Sequence, residues 1–189
     1  MRVLQFVLLL GSTRVGSDVM GPYGRISSAA GLSLASLIRA RGHTCEILDP
    51  IDLKLPMLER AYHHYPDGEA PEHLERIATI LRSADALVTV CGEYNHGVPP
   101  ALLNLLAHFP RKCFDLKPVG IFTYSCGTWG GRMAASHLRT VLPELGMLTI
   151  PTLLSVADAT ADTFTTTEWH ARATQHFLPE LETLALKLK

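Results

Sequence analysis

The sequence predicts an α/β fold, a parallel sheet covered by helices on both faces. Three observations predict it. Short apolar runs alternate with longer segments at helical spacing, in the order β-α-β-α-β-α-β-α-β-α. The strand runs lack polar alternation, as strands buried on both faces do. Hydrophobic residues are 47% of the 189 and charged residues 19%, which excludes a disordered chain and supplies the core of one domain.

Val3 to Leu10 is apolar except for Gln5 and ends at Gly11-Ser12, which suits a central strand. With Met1-Arg2 before it and Ser28-Ala29-Ala30 after, this run imitates a signal peptide. The polar Ser12, Thr13, Arg14, Ser17 and Asp18 between them speak against that reading. Ile26 to Arg41 carries Ile26, Ala29, Ala30, Leu34, Leu37 and Ile38, dense enough for a helix packed on a sheet, and Gly42 stops it. His43 to Leu48 is a second strand, and Asp49 to Pro71, rich in Pro, Asp and Gly, is mostly loop. Glu72 to Ser83 places Leu74, Ile77, Ala78 and Leu81 at helical spacing, and Ala86 to Cys91 is a third strand. Pro99 to Phe109 opens on prolines, which a helix tolerates in its first turn. Val119 to Tyr124 is the fourth strand, Gly131 to Leu145 a helix, and Met147 to Ile150 the fifth strand. Thr167 to Leu188 closes the chain as a long helix that Pro179 kinks or interrupts. Five strands in this alternation point to a flavodoxin-like three-layer sandwich, a five-stranded parallel sheet of order 2-1-3-4-5, in one domain over residues 1–189.

Lys and Arg number 17 against 18 Asp and Glu, a net charge of −1, so no basic surplus is available for nucleic acid. The same near-neutrality eases self-association. Cysteines stand at 45, 91, 113 and 126, with no CxxC pair and no zinc spacing. They read as buried thiols of a reducing compartment, hence a cytoplasmic protein. No apolar run approaches the roughly 20 residues of a membrane span.

In an open parallel sheet, ligands bind beyond the carboxyl ends of the strands where the strand order reverses. The loops after strands one, three and four are therefore the places to look. The first runs Gly11-Ser12-Thr13-Arg14-Val15-Gly16-Ser17 and on to Gly24-Arg25-Ile26-Ser27-Ser28. Its hydroxyls, its two arginines and the helix start that follows suit an anion such as phosphate. The plainer alternative is a turn with Ser27 as a helix cap. The second, Gly92-Glu93-Tyr94-Asn95-His96-Gly97-Val98-Pro99-Pro100, offers an aromatic, an amide and backbone groups for a planar heterocycle, or is an ordinary βα turn. The third, Ser125-Cys126-Gly127-Thr128-Trp129-Gly130-Gly131, either passes over a flat ring or starts a helix beside a surface Trp. Together the loops describe a pocket with an anion end and an aromatic, amide-rich end.

These segments resemble the NADPH-dependent FMN reductase family, with its quinone, chromate and azo-dye reductases. Gly11-Ser12-Thr13-Arg14 is similar to that family's first loop, and Glu93-Tyr94-Asn95-His96-Gly97-Val98-Pro99 to its second. Leu102-Leu103-Asn104, Lys117-Pro118-Val119-Gly120 and Tyr124-Ser125-Cys126-Gly127-Thr128-Trp129-Gly130-Gly131 follow it too. The likeness covers roughly Val3 to Ile150. Gly92 stands where the family usually has Pro, and Asp18 to Tyr23 lengthen the first loop.

The resemblance implies noncovalent FMN, its phosphate held by Ser12, Arg14 and one or more of Ser17, Arg25 and Ser27. It implies Glu93, Tyr94, Asn95 and His96 along the isoalloxazine ring, with Ser125, Gly127 and their neighbours beside it. It implies a ping-pong oxidoreductase moving hydride from NADPH, or NADH, to the flavin and electrons on to a small-molecule acceptor. No protein acid or base is obligatory, although His96 is placed for such a role. It also implies a homodimer or homotetramer with FMN near the interface. Arg14, Arg25 and Arg132 are the candidates for recognising the NADPH phosphate. The alternatives are a flavodoxin-type electron carrier, which the near-neutral charge disfavours, and a flavin-free scaffold.

Other features have plainer readings. His63-His64 looks like a metal pair, but adjacent histidines do not share a helical face, so Tyr62 to Tyr65 reads as an aromatic strip covering the pocket or a partner subunit. No metal site is expected. Cys91 reads as a small buried hydrophobe. Trp129 either stacks on substrate or closes an interface. No Gly-x-Ser-x-Gly elbow supports a hydrolase.

Overall fold

The computed structural model describes residues 2–14 and 25–188. Five parallel strands form one sheet: β1 Gln5–Leu10, β2 Thr44–Leu48, β3 Ala86–Cys91, β4 Pro118–Tyr124 and β5 Leu148–Val156, in the order β2-β1-β3-β4-β5. The predicted topology is therefore the observed one. The helices are α1 Ile26–Ala40, α2 Pro50–Leu53, α3 Glu72–Ser83, α4 Pro100–His108, α5 Arg132–Glu144, α6 Thr167–Arg172 and α7 Leu178–Lys187.

Alternation along β1 shows how the layers arise. Val7 and Leu9 face a core completed by Leu74 and Ile77 of α3, Leu102 and Leu105 of α4, and Leu138 of α5. Phe6, Leu8 and Leu10 face the opposite core, with Leu34 and Ile38 of α1, Trp169 of α6 and Leu181 of α7. A strand buried on both faces has no use for polar residues, which is why the sequence shows none beyond Gln5.

Two elements depart from the expectations, and the closing helix is broken where expected. Within the expected loop Asp49 to Pro71, Asp49 caps a one-turn helix, accepting from Ile51 N–H, and Pro50 fills its first position. A further 3₁₀ turn covers Tyr62–His64. The fifth strand does not end at Ile150. An advance of two residues along β4, from Val119 to Ile121, is matched by an advance of four along β5, from Thr149 to Leu153, and this bulge holds exposed Pro151 on the sheet's edge strand. The closing helix is interrupted just ahead of Pro179, by a π turn over Ala173–Phe177 between α6 and α7. Pro179 has no N–H to offer and its ring collides with an α-helical carbonyl one turn back; the wider turn relieves both.

Candidate functional site

Neighbouring strands β1, β3 and β4 bring their following loops to one sheet edge. Gly11 N–H continues the β1–β3 pairing to Val90 C=O at 2.9 Å, so the first two loops leave the sheet side by side. They are then joined by side chains: Ser12 Oγ and the Tyr94 hydroxyl lie 2.6 Å apart. The Arg14 guanidinium lies over the Tyr94 ring, 4.2 Å from its centre.

The second loop is a miniature hairpin. Tyr94 and Gly97 exchange both backbone hydrogen bonds, at 2.9 and 3.0 Å. Asn95 and His96 form its tip with φ of 49° and 61°, the left-handed backbone that such two-residue turns require. Their side chains are exposed. Glu93 immediately precedes the hairpin and is tied to α5. Its Oε2 accepts the Met133 and Ala134 N–H groups at 2.9 and 3.1 Å, capping the open end of α5. Its Oε1 lies 3.4 Å from His96 Nδ1.

The third loop is held from below. Thr123 Oγ1 and Ser155 Oγ both donate to Gly130 C=O at 2.8 Å, and Ser125 Oγ and Asp158 N–H both donate to Gly127 C=O. Gly130 and Gly131 take φ of 62° and 77°, and a Cβ on either would strike Ser155 or Thr123.

A cavity of about 310 Å³ opens between the three loops and the start of α1. Ser12 and Arg14 line it from the first loop, Glu93 and Tyr94 from the second, and Ser125 and Gly127 from the third. Arg25 and Ser27 line it from the helix start. Ten of the eleven predicted binding positions lie among the described residues, and eight of them meet here; Ser17 falls in residues 15–24, outside those described, as does the Asp18 to Tyr23 insertion. Asn95 and His96, at the exposed tip of the hairpin turn, do not line the cavity.

Four buried side-chain atoms lack a hydrogen-bond partner among the described residues, and two of them, Arg25 Nε and Ser27 Oγ, belong to residues bordering this cavity. The Tyr124 hydroxyl interacts with Ser27 but falls short of hydrogen-bond geometry. Burial above all keeps that phenol protonated, well above its usual range. A buried donor with no partner costs free energy, and these two stand at the amino end of a 15-residue helix, where the field favours an anion. The donor set fits a phosphate.

Sequence reasoning missed Asp49, which pairs with Arg25, and Tyr124. The Tyr124 ring lies over Gly92, whose added Cβ would stand 3.3 Å from it. The departure from Pro at 92 thus makes room for that ring. Asn104 is also explained: its Oδ1 accepts Leu58 N–H and its Nδ2 donates to Pro56 C=O, fastening the segment after α2. His63 and His64 have ring centres 4.2 Å apart and do not line the cavity. Among the described residues no group of three or more His, Cys, Asp or Glu side chains is placed to hold a metal. No helix among them is long and apolar enough to cross a membrane.

Comparison with known proteins follows this geometry. A quinone reductase of Escherichia coli is 40% identical over 75 residues, 38% of this chain and 40% of that protein. An FMN-dependent NADPH-azoreductase of Staphylococcus saprophyticus is 24% identical over 155 residues, 80% of this chain and 76% of that one. The alignments at 30% identity or above to an NADH:(hydroxy)cinnamate reductase subunit of Vibrio ruber and to the E. coli protein span only 47% and 40% of those relatives' own length. In three dimensions, a flavoenzyme NAD(P)H:(acceptor) oxidoreductase of Paracoccus denitrificans superposes with a TM-score of 0.66, at 22% identity, over 96% of this chain and 98% of that one. Residues 4–161, spanning all three loops of the site, match the family description itself, and the chain belongs to the NADPH-dependent FMN reductase family.

Proposed function

We propose that this chain is an FMN-dependent NAD(P)H oxidoreductase whose final acceptor is a quinone, a free flavin or a similar small molecule. Bound FMN supplies the hydride and electron-transfer chemistry, in a ping-pong sequence with NAD(P)H first and the acceptor second. The observation that carries the reading is the pair of unpartnered buried atoms, Arg25 Nε and Ser27 Oγ, at the helix start beside one cavity.

In this reading Ser27, Arg25, Ser12 and Arg14 hold the phosphate. Tyr94 and the backbone of Ser125 to Gly127 border the ring system. Glu93 acts on the protein instead of the ligand, tying the second loop to α5. Of the arginines weighed for the NADPH phosphate, Arg25 is committed to Asp49 and Arg14 lies over Tyr94, whereas Arg132 is exposed on the first turn of α5.

A homodimer or homotetramer is part of the proposal. Met57 is 75% exposed although Asn104 fastens the backbone on both sides of it. It sits beside an apolar groove lined by Leu53, Leu55, Pro100 and Leu105. A second copy of the chain would cover both, and sedimentation of the purified protein tests this. All four thiols are free, which supports a reducing, cytoplasmic setting.

The deciding experiment is the visible absorption spectrum of the purified protein, before and after FMN addition and gel filtration. The proposal expects a retained flavin band, bleached by NADPH without air and restored by a quinone. A retained band with no NADPH turnover indicates an electron carrier. Failure to retain FMN indicates a scaffold, and either result overturns the proposal.

A further inference from the structure

We infer that Trp129 is the side chain that selects the electron acceptor, receiving a flat, uncharged aromatic acceptor of the quinone class against its indole face. The inference rests on the flavin reading of the cavity.

Trp129 lines the cavity and yet is 63% exposed, so it stands at the rim. Tryptophan has the largest apolar surface to hide, and an exposed one at a cavity rim is informative where scattered exposed apolar residues are not. This indole is not at the tip of a loose loop. Gly127 C=O takes two hydrogen bonds, Gly130 C=O takes two more, and Trp129 C=O accepts Arg132 N–H. The fold fixes the backbone on both sides and still turns the ring outward.

The surroundings define what the ring can receive. No residue from Ser125 to Gly131 carries a charge. Several polar groups near it in sequence are already engaged: Ser125 Oγ with Gly127 C=O, and the N–H groups of Met133 and Ala134 with Glu93. Cys126 also lines the cavity and is exposed, and Met133 on the first turn of α5 is 47% exposed. Around Trp129 the rim thus presents polarizable surface, with Arg132 the nearest charge in sequence. Such a surface holds a planar ring by stacking, whereas a compact anion would use the exposed Arg132 beside it and not the indole.

The test uses the holoenzyme and two acceptors, 2-methyl-1,4-naphthoquinone and ferricyanide, with Trp129→Ala and Trp129→Phe. In Trp129→Ala the KM for the naphthoquinone should rise roughly three- to tenfold, the scale of one aromatic pair, and by at least threefold more than the KM for ferricyanide or NADPH. Trp129→Phe should recover most of the loss. Equilibrium dialysis of the naphthoquinone against the oxidised holoenzyme, without NADPH, should show the same ranking free of turnover. Naphthoquinone should also quench the exposed indole of the wild type, since the second tryptophan, Trp169, is only 2% exposed. Equal changes for all three substrates, unchanged naphthoquinone binding in Trp129→Ala, or a smaller oligomer in that variant overturns the inference. A wild type that retains FMN and turns over leaves the flavin reading standing in those cases. A wild type that retains no FMN removes both.

Discussion

Arg25 turns both terminal nitrogens onto the carboxylate of Asp49, each at 2.5 Å, and Nη2 also donates to the Ser12 carbonyl at 3.1 Å. Asp49 Oδ1 meanwhile accepts the Ile51 N–H that begins α2. One carboxylate after β2 therefore fixes the residue that opens α1 and, through it, the backbone of the loop after β1. Arg25 is thus a balanced cation whose Nε alone remains without a partner.

Asp49→Asn should separate those roles. The side chain keeps its shape but leaves Arg25 uncompensated, so the flavin-free protein loses about 1–3 kcal/mol of stability, less than a wholly buried pair because the two side chains are 20% and 10% exposed. A ligand phosphate would then supply the missing negative charge. FMN should raise the melting temperature of Asp49→Asn more than that of the wild type, by the mass-action rule for ligands of the folded state. Riboflavin, which has no phosphate, should not. Equal rises with both ligands would place the phosphate away from Arg25.

Arg14→Ala removes the other cation, which rests over Tyr94 and lines the cavity. FMN affinity should weaken by about 1.5–3 kcal/mol, the scale of a hydrogen bond to a charged group. Fluorescence titration of the flavin-free protein measures it. An unchanged FMN dissociation constant would remove Arg14 from the site.

The thiols should divide by burial. Cys126 is exposed and lines the cavity. Burial drives the Cys91 thiol far above its usual range and pushes Cys45 up to about 12. At pH 8 one thiol per chain should react quickly with a disulfide reagent, and FMN should slow it. The Cys45 shift also has a sign. Its folded value lies above the ordinary value of 9.0, so the folded state holds a proton that the unfolded chain releases. Its contribution is complete below pH 9 and is lost as pH rises toward 12. Denaturant midpoints measured across that range should fall with pH, and less steeply in Cys45→Val.

His96→Gly tests the hairpin tip. His96 has φ of 61°, a backbone region that glycine occupies without strain, and its side chain is exposed outside the cavity. The variant should melt at or slightly above the wild-type temperature and bind FMN within about twofold of it. A large loss of NADPH turnover with normal FMN binding would restore His96 to the chemistry.

The sheet was legible because burial on both faces leaves a direct trace, an apolar run such as Ala86 to Cys91, and strict alternation with helices then restricts the order. The three loops were legible because their residue types are wasteful anywhere but at a site. What escaped was set by contacts distant in sequence. Nothing around Asp49 announces that it pairs with Arg25, although Asp-Pro is itself a helix-start signal. Glu93 lines the cavity as expected of a loop residue there, but its second tie, to the open end of α5, depends on a helix 40 residues away. Asn95 and His96 enter as ring contacts through the resemblance alone, since sequence shows a turn there but not that its tip is exposed outside the cavity. The fifth strand runs past Ile150 because an edge position with a bulge makes Pro151 tolerable, which the sequence does not reveal.

Gly120 makes the last case, where a residue typical of the family has a packing reason. It lies in the middle of β4, and a Cβ there would stand 2.4 Å from Phe177 Cζ. Phe177 is fully buried at the end of the π turn, so its ring has no free space to retreat into. Gly120→Ala should therefore destabilise the protein by about 1–3 kcal/mol, the cost of overpacking a filled core, even though alanine suits a strand better than glycine. Phe177→Leu alone should also destabilise, by leaving a void. Combined, the two should cost less than their sum, because the shorter side chain leaves the space that the new methyl needs. Denaturant unfolding of the four proteins gives the coupling directly. Additive losses would show that the methyl is accommodated by movement of the strand instead of the ring, and FMN affinity should then fall as well, since β4 carries the third loop of the site.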